Sequence, residues 1–370
     1  MPIMQGYIHI PFCESKCKYC RFASIGNTQR VQIERYYKYL LKEIESFSGK
    51  TEPLSTLYFG GGTPSTFSVE QIRGVIDILK QKFGFQKGIE ITLEATPSSI
   101  APQYIDAVYC AGVNRISMGV QTLNTKSLEE IGRGNKSDIY RALEILRESQ
   151  IKNISIDFII GLPYVERGEV LQDIQKITGD FPCITHISVY MLEEYYEPEE
   201  KFGDQSDSDY NSITYPTDWK KIGIAEDEYE TEYVSVCKGL KKLGFEKYEI
   251  SNFAKPGYAC KHNTGYWNHS EIAAFGLAAS GYLDGMRYTN SDRFTDYYEG
   301  KNIFKEILKQ SDLDFEKKMF ELRTTGIIEF QITPEIETFI QKGYLMIQDE
   351  KLCLTDTGTL YLDYILTDII

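Results

Sequence analysis

The sequence predicts an α/β fold: an open, TIM-like partial barrel of six β/α units followed by a small α-rich C-terminal unit. Short β-rich runs alternate with helical patterns through the first half of the 370 residues. Parallel strands need crossover helices and keep one hand, so successive alternation describes one parallel sheet with its helices outside. Six units fall short of the eight that close a barrel. Past Phe315 the alternation stops and short helical patterns take over.

The first strand is Tyr-Ile-His-Ile at residues 7–10, and a loop with three cysteines follows it. Residues 32–47 carry Ile33, Tyr36, Tyr37, Leu40, Leu41 and Ile44, an apolar stripe at helical spacing. A strand at 56–59 passes through a glycine turn into a helix at 69–83. The strand at 89–93 pairs with a helix around 104–109, and the strand at 115–120 with a helix at 139–147. The strand at 154–160 pairs with a helix at 170–177, and residues 186–191 make the sixth strand. From 193 to about 218 the chain turns acidic, polar and tyrosine-rich, with Pro198, Gly203 and Pro216, as in a surface excursion or lid. A helix at 226–243 and a further strand at 245–251 are expected, and 260–285 is rich in glycine, alanine and aromatics. The chain closes with a hairpin at 345–347 and 352–354 and a helix from Thr357, for which a winged helix is one available form. Three domains follow: residues 1–225, 226–310 and 311–370.

An apolar fraction of 42% is ample for a real core. The net charge of −14 argues against a general nucleic-acid or anionic-membrane binder, because phosphate contacts want lysine and arginine. No apolar run approaches the roughly 20 residues of a membrane span. Met1-Pro-Ile-Met lacks both the basic start and the apolar region of a signal peptide, so a cytoplasmic location is expected. Cys110, Cys183, Cys237, Cys260 and Cys353 are scattered singly and read as buried or free thiols of a reducing compartment.

Cys13, Cys17 and Cys20 differ, with gaps of three and two residues between them in one short loop. Such a loop can wrap three thiolates around one face of a [4Fe–4S] cluster, leaving the fourth iron open to another ligand. A zinc site would recruit His9, which would have to leave its strand and cross Pro11. Close-set thiols inside a cell point to metal or redox chemistry and away from a disulfide.

In a β/α barrel the working residues lie at the C-terminal ends of the strands. There this chain places Gly60-Gly61-Gly62-Thr63-Pro64-Ser65 after the second strand, where glycines let a ligand approach the backbone. On the third strand the period of two sends Thr92 and Glu94 to the interior and Ile91 and Leu93 outward. The fourth ends in Ser117-Met-Gly-Val-Gln121, and the fifth carries Asp157 among aliphatics, where a carboxylate is costly to bury without a partner. Asp157 can also be read as structural, and Arg133 as a surface charge or as the partner of a carboxylate.

The Cys-x-x-x-Cys-x-x-Cys loop resembles that of radical S-adenosylmethionine (SAM) enzymes. The resemblance implies that the open iron chelates the amino and carboxylate groups of SAM and that an electron from the cluster splits the sulfonium. Tyr7-Ile-His-Ile-Pro-Phe-Cys, Gly-Gly-Gly-Thr-Pro-Ser, Glu94, Ser117-Met-Gly-Val-Gln-Thr, Gly-Arg-Gly-Asn and Asp157-Phe-Ile-Ile-Gly-Leu-Pro also occur in the order of the HemN-like branch of that superfamily. The likeness runs over nearly the whole chain. It implies that Tyr7, Gly61, Gly62, Thr63, Glu94, Gln121, Arg133 and Asp157 line a SAM site.

Within the branch the chain is most similar to the HemW-like heme chaperones. The oxygen-independent coproporphyrinogen III oxidases continue the triplet with a fourth cysteine, where this chain has Phe22. Those oxidases also carry a longer segment ahead of the cluster. His262-Asn263-Thr-Gly-Tyr266-Trp267 matches the His-Asn-x-x-Tyr-Trp motif associated with heme in HemW, which implies His262 as an axial ligand. Residues alone also allow a packing motif, and His262 falls outside the six β/α units that carry the SAM motifs. After Tyr190 the family's Leu-Thr-x-Glu-Pro-Gly-Thr type segment is replaced by Met191-Leu-Glu-Glu-Tyr-Tyr-Glu-Pro-Glu-Glu. The implied function is heme delivery with a [4Fe–4S] cluster, SAM, an electron donor and a heme-accepting protein as partners. The alternatives are SAM-dependent decarboxylation of coproporphyrinogen III, with a porphyrinogen in place of heme, and a zinc-bound interaction protein without catalysis.

Overall fold

A computed structural model describes residues 4–192, 222–225 and 228–369; the acidic stretch expected to form an excursion at 193–218 lies outside them. Strands β1 (Met4–Ile10), β2 (Leu54–Gly61), β3 (Phe85–Ala95), β4 (Arg115–Gln121), β5 (Asn153–Ile160) and β6 (His186–Met191) lie side by side in sequence order, all parallel. Helices α1 (Arg30–Ser46), α2 (Val69–Phe83), α3 (Pro102–Ala111), α4 (Thr125–Glu130), α5 (Lys136–Glu148) and α6 (Glu169–Asp180) fill the crossovers. Local chemistry supports the boundaries. Ser68 accepts from the Gln71 amide while the Gln71 side chain accepts from the Ser68 amide, a capping box that starts α2. Helix α4 was not expected, because its six residues are too short to display a helical period.

The apolar parity of the strands, with Ile8, Leu57, Leu93, Ile116 and Ile156 fully buried, forms the core. The other parity carries Tyr7, Tyr58, Glu94, Ser117 and Asp157. Its interior is therefore polar, unlike the branched-aliphatic layers of an ordinary barrel.

Six units are only the middle of a larger sheet. After α7 (Tyr229–Lys242), β7 (Glu246–Lys247) and β8 (Asn252–Ala254) extend the β6 edge antiparallel. A single strand at 245–251 was expected. The intervening turn is held instead by the Glu249 carboxylate, which accepts from the Ser251 backbone amide and the Asn252 side-chain carboxamide. Following α8 (Lys261–Trp267), β9 (Glu271–Phe275) lies parallel to β1 on its free side. Beyond it run β10 (Ser280–Leu283), β11 (Met286–Asn290) and, after α9 (Phe294–Tyr298), β12 (Asn302–Ile307), all antiparallel. The twelve-stranded sheet ends in β12 on one side and β7 on the other, so the barrel stays open.

One apolar core spans Met4 to Tyr297. A second is built from α10 (Gln310–Arg323), α11 (Pro334–Gln341), the hairpin β13 (Leu345–Gln348) and β14 (Lys351–Leu354), and α12 (Leu362–Ile369), around Leu322, Phe339, Leu352 and Ile365. Ile327 and Leu352 exchange both backbone hydrogen bonds at 2.9 Å, adding one isolated bridge to the two-stranded hairpin. Among the described residues no helix is long and apolar enough to cross a membrane.

Candidate functional site

The cysteine loop leaves β1 at Ile10 and is closed at its base. The Cys13 amide donates to Ile25 O at 2.9 Å and the Ile25 amide to Pro11 O at 2.8 Å. Cys20 N turns back to Cys17 O at 3.1 Å. All three thiols are half-buried and line one pocket at the C-terminal ends of the strands. The loop is tied to the turn after α4 by Lys18, whose amide donates to Ile131 O at 3.1 Å and whose Nζ pairs with Glu130 at 2.8 Å. Burial raises the thiol pKa of Cys13 and Cys20, so without iron both are protonated; ligation replaces those protons.

Gly61 and Gly62 bring the end of β2 onto this loop. Gly61 has φ of +112°, and a Cβ there would lie 2.8 Å from the His9 ring. At Gly62 a Cβ would lie 2.8 Å from Phe12 O and 3.0 Å from Cys13 Sγ. Only glycine permits this approach. Next to them the Thr63 hydroxyl donates to Cys13 Sγ at 3.5 Å. Tyr7, by contrast, points to His9: with His9 Nε2 donating to Ala23 O at 2.7 Å, Nδ1 accepts from the Tyr7 hydroxyl at 3.1 Å. Both ring nitrogens of His9 are thereby engaged, and burial lowers its pKa to about 4. It is not a free fourth ligand for a zinc ion among the thiols. A cubane cluster offers separate irons to three thiolates, which suits a loop that spreads them around a pocket.

Glu94 and Asp157 face the same interior from β3 and β5, with β4 between them in register (Glu94 opposite Ser117, Gly119 opposite Asp157). The Tyr58 hydroxyl donates to Glu94 at 2.7 Å. Burial pushes Glu94 up to about 7, with the Asp157 charge adding and the Tyr58 bond opposing. Burial likewise raises Asp157 to about 6, against the Ser188 hydroxyl and the Arg115 and Arg133 charges. Among the described residues Asp157 Oδ1 has no hydrogen-bond partner although it is buried. Two desolvated carboxylates with an unfilled acceptor fit a cationic ligand that brings its own N–H or O–H donors.

Gln121 ends β4 beyond a register shift, at φ of +69°. Its side chain and that of Arg133 converge over Gly119: a Cβ there would lie 2.5 Å from Gln121 Nε2 and 3.1 Å from Arg133 Nη2. Instead of a carboxylate, Arg133 reaches the Tyr19 hydroxyl, from Nε at 3.1 Å and from Nη2 at 2.7 Å.

His262 stands in the same interior, at its floor. Its Nδ1 lies 2.8 Å from Thr56 Oγ1, and its ring is 5.0 Å from Tyr58 and 6.3 Å from Tyr7. The expectation of a residue apart from the SAM motifs does not hold, because α8 plugs the barrel from below. Burial, with Arg115 adding, lowers His262 to about 3, which keeps the imidazole neutral. Tyr266 and Trp267 do not accompany it inward. They pack on Phe320 of α10 with ring centroids 5.9 and 5.2 Å away, and the Arg323 guanidinium lies 4.2 Å from the Trp267 ring. The aromatic half of the motif therefore packs α8 against α10.

Sequence reasoning missed Tyr58, Glu90, Arg115 and His186. Arg115 is fully buried, and among the described residues its Nε and Nη1 lack partners. His186 bridges Ser155 at 2.8 Å and Tyr248 at 2.9 Å. The signal was parity: Tyr58, Glu90 and Arg115 each lie on the polar face of their strand, and His186 stands opposite Ser155 of the neighbouring strand.

The radical SAM superfamily model matches residues 7–177. The chain is 32% identical to the heme chaperone HemW of Lactococcus lactis over 92% of its own length and 86% of that protein. It is 35% identical to heme chaperone HemW of Bacillus subtilis, over 77% and 72% of the two chains, and 29% identical to that of Escherichia coli, over 99% and 98%. Among solved structures it resembles coproporphyrinogen III oxidase (HemN) from Escherichia coli, a radical SAM enzyme, with a TM-score of 0.78 at 19% identity over 99% of this chain and 89% of that one. At that identity the likeness is one of fold.

Proposed function

The chain belongs to the HemW family of heme chaperones within the radical SAM superfamily, and from that premise we propose that it binds heme and passes it to an acceptor protein. Cys13, Cys17 and Cys20 hold a [4Fe–4S] cluster, and Tyr7, Gly61, Gly62, Thr63, Glu94, Gln121, Arg133 and Asp157 line the SAM site beside it. With an electron donor, a cluster held there would supply one-electron chemistry to bound SAM. The chain's own part is to present acceptors to a cation. Glu94 and Asp157 are desolvated, and Asp157 Oδ1 lacks a donor. Heme is cargo, and His262, neutral and without a partner at Nε2 among the described residues, is its axial ligand. With Nδ1–H donating to Thr56, the Nε2 lone pair is the free one. Work in the cytoplasm, where close-set thiols stay reduced, completes the reading.

The observation that carries the chaperone reading over decarboxylation is the near-full-length likeness to HemW proteins together with Phe22, 66% exposed where the oxidases have a fourth cysteine. Anaerobic reconstitution, iron and sulfide analysis, and hemin titration with and without SAM test it. Four irons, four sulfides and stoichiometric hemin are expected; a zinc-loaded protein that takes up no hemin would overturn it.

A further inference from the structure

The cysteine loop is rooted in a network to which neither the thiols nor the residues of the proposed SAM site belong. On α1 a spacing of seven residues puts Tyr36 and Glu43 on one face, two turns apart. The Glu43 carboxylate accepts from three donors of a segment more than 200 residues away: the Gly276 amide at 3.0 Å, the Asn290 carboxamide at 2.8 Å and the Tyr297 hydroxyl at 2.5 Å. Asn290 Nδ2 also donates to Gly276 O at 2.8 Å. Burial raises the Glu43 pKa to about 7, against these three bonds.

From Glu43 the network runs to the root of the loop. Tyr297 packs on Tyr36 with ring centroids 5.6 Å apart. The Tyr36 hydroxyl accepts from the Leu277 amide at 2.9 Å and donates to His9 O at 2.6 Å. Gly276, at φ of +105°, permits this approach, since a Cβ there would lie 2.5 Å from both His9 O and the Tyr36 hydroxyl. Phe12, the residue before Cys13, is fully buried, with its ring 5.1 Å from Tyr36 and 6.2 Å from Phe294 of α9. Its carbonyl accepts from the Thr63 amide at 2.8 Å. The stretch from His9 to Cys13 is thus tied both to the β2 turn and to the Tyr36–Glu43 network. A fully satisfied polar network specifies one geometry.

We propose that Tyr36 and Glu43 are positioning residues for the three thiols: Tyr36 fixes the root of the cysteine loop through His9 O and Phe12, and Glu43 holds the 276–297 segment against which Tyr36 is set. Neither lines the pocket of the thiols, so both act through the loop. The inference rests on the reading of Cys13, Cys17 and Cys20 as cluster ligands. Tyr36→Phe keeps the ring and its packing but loses both hydroxyl bonds. Glu43→Gln keeps the shape but puts a donor where three donors converge.

The test compares the full chain with its Tyr36→Phe and Glu43→Gln variants in two measurements. The first is hydrogen exchange without a cluster, read on the peptides that carry Cys13 and Ile25, whose amides close the base of the loop. Peptides of β5 serve as the reference. In both variants the loop amides should exchange about fivefold faster than in the parent, the equivalent of one bond of about 1 kcal/mol, with β5 unchanged. The second is iron release from the reconstituted chain to bathophenanthroline, which should be faster in both variants than in the parent. Unchanged exchange at the loop would overturn the proposal. So would a rise shared equally by β5, which marks a general loss of stability. Faster exchange with iron released as slowly as from the parent would show that the thiols do not need this support, and the proposal falls. If Glu43→Gln does not fold, Tyr36→Phe decides alone. A parent that takes up no iron and sulfide would instead overturn the cluster reading, and the exchange data would still judge the support of the loop.

Discussion

The His262 imidazole lies 5.0 Å from the Tyr58 ring, and the Tyr58 hydroxyl donates to Glu94 at 2.7 Å. The histidine of the motif and a carboxylate of the proposed SAM site thus share one phenol. They are not independent parts of the chain. His262→Ala should loosen Tyr58 and weaken SAM binding by about 0.5–1.5 kcal/mol, the worth of a ring pair. Calorimetry with SAM on the reconstituted protein checks this; an unchanged affinity would mean that Glu94 alone fixes the phenol.

The cluster should depend on the loop thiols only. Cys17→Ala should abolish the broad iron–sulfur absorbance after reconstitution. Cys110→Ala should retain it, because that thiol is exposed at the end of α3 and does not line the pocket. A four-iron cluster in the Cys17 variant would remove the assignment.

Asp157→Ala removes a desolvated carboxylate whose charge also raises Glu94 from across β4, so the ligand-free barrel should be no less stable. SAM should bind more weakly by about 1.5–3 kcal/mol, the range for a hydrogen bond to a charged group. A folded variant with the parent's SAM affinity would make Asp157 a structural residue.

The pH dependence has opposite signs for binding and for stability. Glu94 at about 7 and Asp157 at about 6 are raised in the folded chain. SAM affinity should therefore climb as pH rises through those values and level off above them, because a cation prefers the ionised carboxylates. Over the same interval the folded protein holds protons that the unfolded chain has already released. Stability without SAM should fall as pH rises from the ordinary carboxylate range to about 7. Melting curves and SAM titrations across that range decide it, and Glu94→Gln should flatten both. A SAM affinity that falls as pH rises would contradict the account.

Much of this site was legible because it is built from local rules. Spacing marked Cys13, Cys17 and Cys20, the period of two sent Glu94 and Asp157 inward, and the glycine turn after β2 could be read from three successive glycines. What could not be read depends on contacts between distant positions. Gln5 meets His262 across 257 residues, and β9 finds the free edge of β1 from the far end of the chain. Tyr266 and Trp267 belong to the His-Asn-x-x-Tyr-Trp motif, and Phe320, which settles their packing, lies far along the chain in α10. Arg133 lines the pocket of the cysteine loop, and its partner there is Tyr19, a contact that spacing does not reveal. Strand parity carries no information about which groups meet across a barrel, so Tyr58 and Arg115 passed as ordinary strand residues.

The central claim is heme delivery as opposed to decarboxylation, and one anaerobic assay addresses it directly. The reconstituted, reduced protein is incubated with SAM and coproporphyrinogen III in one vessel and with hemin in another. The account predicts stoichiometric hemin binding with a persistent spectrum and coproporphyrinogen III recovered unchanged. Consumption of coproporphyrinogen III with release of carbon dioxide, and no retention of hemin, would contradict it.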